Sequence, residues 1–273
     1  MRIANITQQA VEHLHPNEGY ETDGVLIESV YAKTKLPASK SRLRQLEQDI
    51  IYVEAALRAE RDGVDAVVIN TMVDYAIDLI RDTLSIPVVG AGESGMGAVV
   101  EQGLNFSVVT VWPDLFAPYY SRVLAENDFE GSCRSIRYAL QESDGQPARE
   151  VVYAGVEDAG SSVAQRVLSS AQSAIERDGA ESIVIGCTCM TGLVDFLSEN
   201  VSVPVVDPLG EAYKKAVAQV RRRESGGSLP VITSRDSERE FAERIQIAVD
   251  AWVATPSFGE AELECGNACL IAS

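Results

Sequence analysis

The sequence predicts an α/β protein of two lobes, each built on a parallel sheet, and three observations support this fold class. One block occurs twice, as RDGVDAVVINTMVDYAIDLIRDTLSIPVVG at 61–90 and RDGAESIVIGCTCMTGLVDFLSENVSVPVVD at 177–207. Short apolar strands alternate with helices, an order typical of doubly wound parallel sheets. The chain has 273 residues, which is enough for two lobes of about 100–150 residues each. The duplication therefore predicts two lobes related by a pseudo-twofold axis, with the functional site in the cleft between them.

Each copy of the repeat has the pattern of a strand, a polar turn, a helix and a second strand. In the first copy, DAVVI at 65–69 is a continuous apolar run, the kind of strand that is buried on both faces of a parallel sheet. Ligands of such sheets bind beyond the carboxyl ends of the strands. When the copies are aligned, Thr71 and Cys187 both occupy that place. Only one of the two turns therefore carries a thiol.

The remaining elements follow from spacing and composition. Apolar residues recur every three or four positions over 41–60, which predicts a helix that Gly63 ends. We expect further strands at 1–6, near 25–32, at 86–90, 106–112, 133–140 and 229–233, and one that opens with Pro204 at the end of the second repeat. We expect further helices at 72–84, 93–103, 113–126, 161–177, 188–200, 208–223 and 237–252, with loops over most of 11–40 and over 141–160. These elements are expected to form lobe 1 (1–104 with 207–255), lobe 2 (105–206) and a flexible tail (256–273).

Composition argues against several classes of protein. The net charge of -18 would repel a polyanion, so nucleic acid is not expected as a partner. No stretch reaches the roughly 18 apolar residues of a membrane helix, and MRIANITQQA lacks the apolar core of a signal peptide. Cysteines are too few for a disulfide scaffold, so we expect a reduced, cytoplasmic setting.

The turn GCTCMTGL carries the residues expected of an acid–base catalyst. Cys187 ends a strand and begins a helix, where unpaired backbone N–H groups and the helix dipole lower the pKa of a thiol. The same N–H groups can hold a substrate carboxylate or an enolate, with Thr188 and Cys189 as expected contacts, and the hydroxyls of Thr188 and Thr191 add donors. The alternative is a small buried cysteine whose role is packing alone.

The spacing of Cys187 and Cys189 could also provide half of a metal site. Zinc needs about four ligands, and no second thiol or histidine pair lies close to this turn in the sequence. His13 and His15 form a poor partner set. We therefore predict no metal, and expect the Cys189 side chain to pack beneath the helix.

The first turn, INTMVD, has threonine where the second has cysteine. The hydroxyl of Thr71 can donate a hydrogen bond but is far too weak an acid to replace a thiolate at neutral pH. It can polarise, orient or relay a proton through water. Asn70 and the backbone N–H groups of Met72 and Val73 can hold a carboxylate. The alternative is that Thr71 only caps the following helix.

On these turns and several other segments, the chain resembles the aspartate/glutamate/hydantoin racemase superfamily over about residues 1–220, with the hydantoin racemase branch nearest. The segments are the first strand with Asn5, DAVVINTMVD, IPVVGAGESGMGAV, FSVVT, GCTCMTGL and VPVVDP. The resemblance implies two Rossmann-like lobes, cofactor-independent chemistry, a small anionic or cyclic-amide substrate, and a homo-oligomer. In the family's racemases two cysteines flank the α-carbon, one removing a proton and the other returning one. Cys187 matches the second, and Thr71 stands at the first.

The chain also departs from the family pattern. Arylmalonate decarboxylases, which resemble this family, keep only the second cysteine, whereas maleate isomerases use both and fit less well. Decarboxylase and maleate isomerase relatives carry Thr-x-Tyr-x-Asp where this chain has Thr110, Trp112 and Asp114. Trp112 is therefore either a substrate contact or a filler of the lobe interface. Asn5 stands in the sequence Asn-Ile-Thr-Gln, where the hydantoin racemases have Asn-Pro-Asn-Thr.

Three functions remain open from the sequence. The first is a racemase or epimerase in which Cys187 moves a proton at a carbon next to a carboxylate, amide or hydantoin carbonyl. The second is a decarboxylase in which Cys187 is the sole proton donor. The third is a small-molecule-binding protein that kept the fold without catalysis.

Overall fold

The computed structural model describes residues 1–8, 20, 24–34, 36, 41–140, 149–227 and 235–254. Strands β1 to β8 span Arg2–Thr7, Leu26–Tyr31, Ala66–Ile69, Val88–Gly90, Phe106–Thr110, Cys133–Tyr138, Ser182–Ile185 and Val205–Val206. Helices α1 to α9 span Arg42–Arg61, Ile77–Thr83, Ala91–Val100, Ala117–Glu126, Arg149–Glu157, Ser162–Asp178, Val194–Asn200, Pro208–Glu224 and Arg235–Val253. Short 3₁₀ helices cover Asp114–Phe116 and Thr188–Leu193.

Two four-stranded sheets repeat one strand order. The first is β2-β1-β3-β4 and the second is β6-β5-β7-β8, and all of their strand pairs are parallel. We call the first sheet with its helices lobe 1, and the second sheet with its helices lobe 2. The predicted α/β fold of two parallel sheets is confirmed, and each strand of one sheet has a counterpart at the same place in the other.

Both faces of each sheet are covered by other elements, as the apolar strands predict. In lobe 2, Ile183 and Ile185 face the core formed with α5, α6 and α7, whereas Val184 faces the opposite core. That opposite core takes residues from α3, α4 and Met72 of the first repeat. It therefore joins the two lobes, and we call it the interlobe core. In addition α8, which follows the last strand of lobe 2, packs against β3, β4 and α3 of lobe 1.

Two sequence predictions about helices were wrong in part. Residues 149–157, expected as loop, form α5, because Val152 and Val156 lie one turn apart and are fully buried. The helix expected directly after Thr71 begins only at Ile77, because Asp74 and Ala76 adopt positive φ angles of 43° and 51°. Left-handed residues interrupt a right-handed helix. Thr71 is therefore followed by a non-helical turn, whereas Cys187 is followed directly by a 3₁₀ helix and then by α7 at Val194.

Some predictions concern parts of the chain that the structure does not describe. The strand expected at 229–233, the tail at 256–273, and His13 and His15 all lie outside the described residues. The residue bounds of the two lobes stay a prediction. Among the described helices, none combines the length and the apolar character needed to span a bilayer.

Candidate functional site

The candidate site residues lie at the point where the strand order of each sheet reverses. In lobe 1 this point lies between β1 and β3, and in lobe 2 between β5 and β7. The same hydrogen bond marks both places: Asn70 N donates to Ile6 O at 2.9 Å, and Gly186 N donates to Val109 O at 2.7 Å. Open α/β sheets bind ligands at this point, beyond the carboxyl ends of the strands. The repeat therefore places the residues before Thr71 and Cys187 equivalently.

Cys187 is the N-cap residue of the 3₁₀ helix that follows β7. Its backbone is extended (φ -148°, ψ 134°), and its Sγ accepts a hydrogen bond from Cys189 N at 3.3 Å. Cys187 is half-buried, whereas Cys189 is 8% exposed and packs in the lobe 2 core. An N–H donor and the positive end of a helical segment both favour a negative charge on sulfur. The geometry therefore suits a thiolate when this sulfur is free.

The structure pairs the sulfurs of Cys187 and Cys189 as a disulfide. We expected free thiols here, so the pairing differs from the sequence prediction. The cap turn brings the two Cα atoms to 5.2 Å, within the range of about 4.4–6.8 Å that disulfides require. Acid–base chemistry at Cys187 therefore requires the reduced pair.

Two residues that the sequence did not indicate hold the far end of the Cys187 turn. Thr191 Oγ1 lies 3.0 Å from Thr188 O and 3.3 Å from Asp207 Oδ1. The Asp207 carboxylate also accepts hydrogen bonds from the Tyr20 hydroxyl and from Leu209 N. Burial raises the pKa of Asp207 against the opposing effect of these donors. The Asp-Pro pair before α8 is a visible helix-start signal, but nothing local in the sequence points to Tyr20.

In the first turn, Thr71 Oγ1 accepts a hydrogen bond from Val73 N at 2.9 Å. A threonine hydroxyl has one proton and two acceptor lone pairs, so this bond leaves the proton of the hydroxyl available for donation to a ligand. Because the Val73 N–H already donates this bond, a substrate carboxylate bound at Val73, as predicted, would have to share the same N–H with Thr71. Met72 is 3% exposed, and its side chain lies in the interlobe core with Val108 and Val184. The turn therefore rests against lobe 2.

Two buried asparagines accompany the Thr71 turn. Asn5 is fully buried in β1 and is paired in register with Val68 of β3. Asn70 is 8% exposed, and its Oδ1 has no hydrogen-bond partner among the described residues. A buried polar atom without a partner is costly and marks a place where a ligand or water can bind. Their predicted contact with substrate stays a prediction.

Behind the Thr71 turn, Asp74 joins it to the start of α3. Its carboxylate accepts hydrogen bonds from Gly92 N at 2.9 Å and Glu93 N at 2.6 Å. A Cβ added at Gly92 would lie 2.4 Å from Met72 O, so this close approach requires glycine. Burial and the charge of Glu93 raise the pKa of Asp74 to about 7. Burial acts to raise the pKa of Glu93 as well, but the hydrogen bond and charge of Arg81 outweigh it and hold that pKa below its usual value.

The raised pKa of Asp74 predicts pH-dependent stability. In the unfolded chain this carboxyl ionises near its ordinary pKa of 3.8, and in the folded protein at about 7. Between these values the folded state binds the extra proton, so the free energy of unfolding falls as pH rises from about 4 to about 7. At about 1.4 kcal/mol per pH unit, the total is on the order of 4 kcal/mol. Asp74→Asn should remove this slope.

Urea denaturation at several pH values measures the slope, and Asp78→Asn is the matched control. Asp78 lies on α2, and its side chain is 78% exposed. That variant should keep the wild-type slope. Equal slopes in the two variants would show that Asp74 does not titrate in this range.

Trp112 packs mainly on lobe 2. Its ring centre lies 6.1 Å from that of Phe116 and 6.0 Å from that of Tyr153, and the residue is half-buried against the lobe 2 core. Its backbone N donates to Thr110 Oγ1 at 3.3 Å. The ring therefore packs against lobe 2, and neither of the two sequence alternatives, a substrate contact or a filler of the lobe interface, is decided by these contacts. A substrate contact by Trp112 stays a prediction.

We find no metal centre in the part of the chain that the structure describes. Within these ranges no three side chains of the His, Cys, Asp or Glu type are placed to hold a metal ion. Nearby carboxylates are engaged in other ways: Asp74 caps α3, and Asp207 caps α8.

Comparison with known proteins agrees with this architecture. The family model described as Asp/Glu/Hydantoin racemase matches residues 5–216. A hydantoin racemase of Rhizobium meliloti is 29% identical over 161 residues. The match covers 59% of this chain and 62% of that protein, which is less than two thirds of either. An allantoin racemase of Klebsiella pneumoniae superposes with a TM-score of 0.69 at 23% identity, covering 83% of this chain and 89% of the other. An arylmalonate decarboxylase superposes with a TM-score of 0.57 at 15% identity, covering 81% and 92%.

The two solved structures show a shared fold at low identity. The family model, in contrast, spans both repeats, both candidate turns and the start of α8. The chain belongs to the Asp/Glu/hydantoin racemase family.

Proposed function

We propose that this protein is a cofactor-independent isomerase that moves a proton at a carbon acid. The carbon lies next to a carboxylate, amide or hydantoin carbonyl, and Cys187 is the acid–base group. The observation that carries the proposal is the equivalent placement of the Cys187 and Thr71 turns at the two strand-order reversals, with Met72 of one turn packed in the interlobe core. Two such turns can address opposite faces of one planar intermediate.

In the proposed reaction, the Cys187 thiolate removes the α-proton, and the electron pair of the C–H bond moves into an enolate. The backbone N–H of Thr188 stabilises the developing charge, and the backbone N–H of Cys189 stabilises the Cys187 thiolate. The free proton of the Thr71 hydroxyl, relayed through water, reaches the opposite face of the carbon. The side chains of Asn5 and Asn70 and the backbone N–H of Met72 hold the substrate's carbonyl or carboxylate oxygens, while the backbone N–H of Val73 orients the Thr71 hydroxyl. Proton return by Thr71 inverts the centre, and return by Cys187 restores it.

The proposed substrate is a small cyclic amide of the hydantoin type. Curated relatives that match this chain are named hydantoin racemases, and a structural neighbour is an allantoin racemase. The unpartnered Oδ1 of Asn70 suits an N–H donor, which a cyclic amide offers and a carboxylate does not.

A decarboxylase is the second candidate, because only one of the two turns carries a cysteine. A single proton donor suffices when carbon dioxide leaves and one face of the enediolate is protonated. The fold is shared with an arylmalonate decarboxylase. A binding protein without catalysis is the third candidate.

Reaction in deuterated water separates these candidates. Enantiopure 5-isobutylhydantoin and allantoin serve as probes for the isomerase, and phenylmalonate for the decarboxylase. We expect deuterium to enter the α-position of a probe hydantoin while the opposite enantiomer forms. Release of carbon dioxide from phenylmalonate would favour the second candidate. Binding of the probes without exchange, inversion or decarboxylation would favour the third.

The disulfide predicts that turnover depends on the redox state. Diamide accepts two electrons and two protons from the Cys187 and Cys189 thiols, which become the disulfide. We expect this treatment to abolish turnover, with a mass loss of two hydrogens and no adduct, and dithiothreitol to restore it. Cys189→Ser cannot form the pair and should keep its turnover under diamide. An oxidised wild-type protein with undiminished turnover would contradict a role for the Cys187 thiol.

A further inference from the structure

We propose that α4 sets the position of the Cys187 and Thr71 turns relative to each other, with Tyr120 and Arg122 as positioning residues. The proposal rests on the proposed function, since it concerns the two groups that would serve the two faces of the substrate. The main observation behind it concerns two side chains of α4. Tyr120 donates a hydrogen bond to a backbone carbonyl of the Cys187 turn, and Arg122 donates one to a backbone carbonyl of the Thr71 turn.

Tyr120 connects α4 to the Cys187 turn. It is 1% exposed, and its hydroxyl donates to Gly186 O at 2.6 Å and lies 3.0 Å from Thr110 Oγ1. Gly186 directly precedes Cys187, and a Cβ there would lie 2.6 Å from Thr110 Cβ. The phenol therefore holds the Gly186 carbonyl, and close contact with β5 holds the Cα of the same residue. Burial raises the pKa of Tyr120, so the phenol keeps its proton and remains a donor.

Arg122 connects the same helix to the Thr71 turn. Its Nη2 donates to Val73 O at 2.7 Å, and Nη1 lies 3.9 Å from Asp49 Oδ2. Asp49 in turn accepts a hydrogen bond from Ala76 N at 3.0 Å. Since Val73 N is the donor that orients Thr71 Oγ1, holding the Val73 carbonyl also holds the threonine hydroxyl.

Packing on α4 supports the two hydrogen bonds. Tyr119 is 1% exposed and meets Tyr75 of the Thr71 turn edge to face at 5.8 Å. Tyr120 and Val123 share the interlobe core with Met72, which lies between Thr71 and Val73. Packed aromatic rings and close-packed cores resist displacement. The α4 side chains that donate the two hydrogen bonds therefore belong to a closely packed helix that contacts both lobes.

Loss of the Arg122 hydrogen bond and loss of the Tyr120 hydrogen bond should affect the kinetics differently. A substrate enantiomer deprotonated by Cys187 can exchange with retention, when Cys187 returns a solvent proton, or invert, when the Thr71 side delivers it. Disturbing the Thr71 turn should lower inversion alone, whereas disturbing the Cys187 turn should lower both processes. A merely structural loss would lower both processes equally in both variants, so the test is the contrast between them: a selective loss of inversion in Arg122→Lys beside a joint loss in Tyr120→Phe.

The experiment follows enantiopure 5-isobutylhydantoin in deuterated water with the reduced full-length protein. Arg122→Lys keeps the charge but loses the planar fork, and should lower inversion by about 10- to 100-fold while retention exchange changes by less than about threefold. Tyr120→Phe should lower both rates together by about tenfold. Arg166→Ala is the matched control, because Arg166 also donates to a backbone carbonyl, Ala139 O at 2.9 Å, but within lobe 2. It should leave both rates unchanged.

Amide hydrogen exchange tests the same inference without a substrate. Residues 70–77 should lose protection about tenfold in Arg122→Lys and keep it in Arg166→Ala. One outcome separates this inference from the proposed function. Loss of amide protection at 70–77 in Arg122→Lys would support α4 as the positioning element, even if the wild type neither exchanged the α-proton of any probe nor inverted it. The second result would contradict the proposed function. Unchanged protection at 70–77 in Arg122→Lys, or an unchanged ratio of inversion to retention exchange in an active enzyme, would overturn the inference.

Discussion

Replacing Cys187 by alanine is expected to abolish nearly all turnover of the reduced protein. A positioned acid or base contributes about 10²–10⁴-fold to a rate, and the alanine variant has no group at this place that can take or give a proton. Cys187 is the N-cap residue of a short helical segment, with an N–H donor on its sulfur. We expect kcat to fall by about 10²–10⁴-fold, while the free energy of unfolding of the reduced protein changes little.

Two cysteine controls make this prediction specific. Cys133 lies in β6 of the same lobe, and burial raises the pKa of its thiol to about 11. Cys133→Ala should therefore keep full turnover. Cys189→Ala removes the disulfide partner but leaves the Cys187 thiol, and should retain most activity. A fully active Cys187→Ala protein would contradict every version of the proposed enzyme function.

The duplicated block made the fold readable from sequence. Strands buried on both faces appear as continuous apolar runs such as AVVI and SIVI, and these became the matched strands β3 and β7. Parallel strands joined by helices also fix where ligands bind. The turns holding Thr71 and Cys187 could therefore be located before any coordinates were known.

The parts that the sequence did not indicate depend on contacts between distant residues. Arg122 meets Val73, and Tyr20 meets Asp207, although neither pair shares a local pattern. The late start of α2 depends on positive φ angles at Asp74 and Ala76, a conformation that aspartate adopts more readily than alanine. Asp74 adopts this conformation while its carboxylate caps α3, a contact across 18 residues of chain. These features are therefore determined by packing between residues that are distant in the sequence, and not by local propensity.

The disulfide between Cys187 and Cys189 could not be predicted from the sequence either, although the two residues are close in the chain. Composition predicts only that few cysteines are available to link distant segments. It could not show that the cap turn brings two cysteines of one motif to a Cα separation of 5.2 Å. The function of the thiol therefore depends on a local geometry that counting cysteines does not reveal.

Substitutions at Thr71 should show whether the site works from two sides. Thr71→Ala removes the hydroxyl that Val73 N orients, and should lower inversion of a probe hydantoin by about 100-fold, within the range of one acid–base group. Retention exchange should persist, because Cys187 alone can remove and return the proton. Thr71→Ser keeps the hydroxyl and should stay within about threefold of wild type, as the loss of one methyl group alters packing but not proton transfer.

Thr71→Cys is the decisive member of the series. A thiol at this place would ionise far more readily than a hydroxyl, so inversion should rise above that of the wild type and approach the rate of retention exchange. Racemisation would then proceed at similar rates from either enantiomer, because each face would have its own thiol. If Thr71→Ala inverted the probe as fast as wild type and Thr71→Cys gave no gain, Thr71 would not serve the second face. The turn would then only bind substrate, and a one-sided reaction at Cys187, such as decarboxylation, would be the better account of this protein.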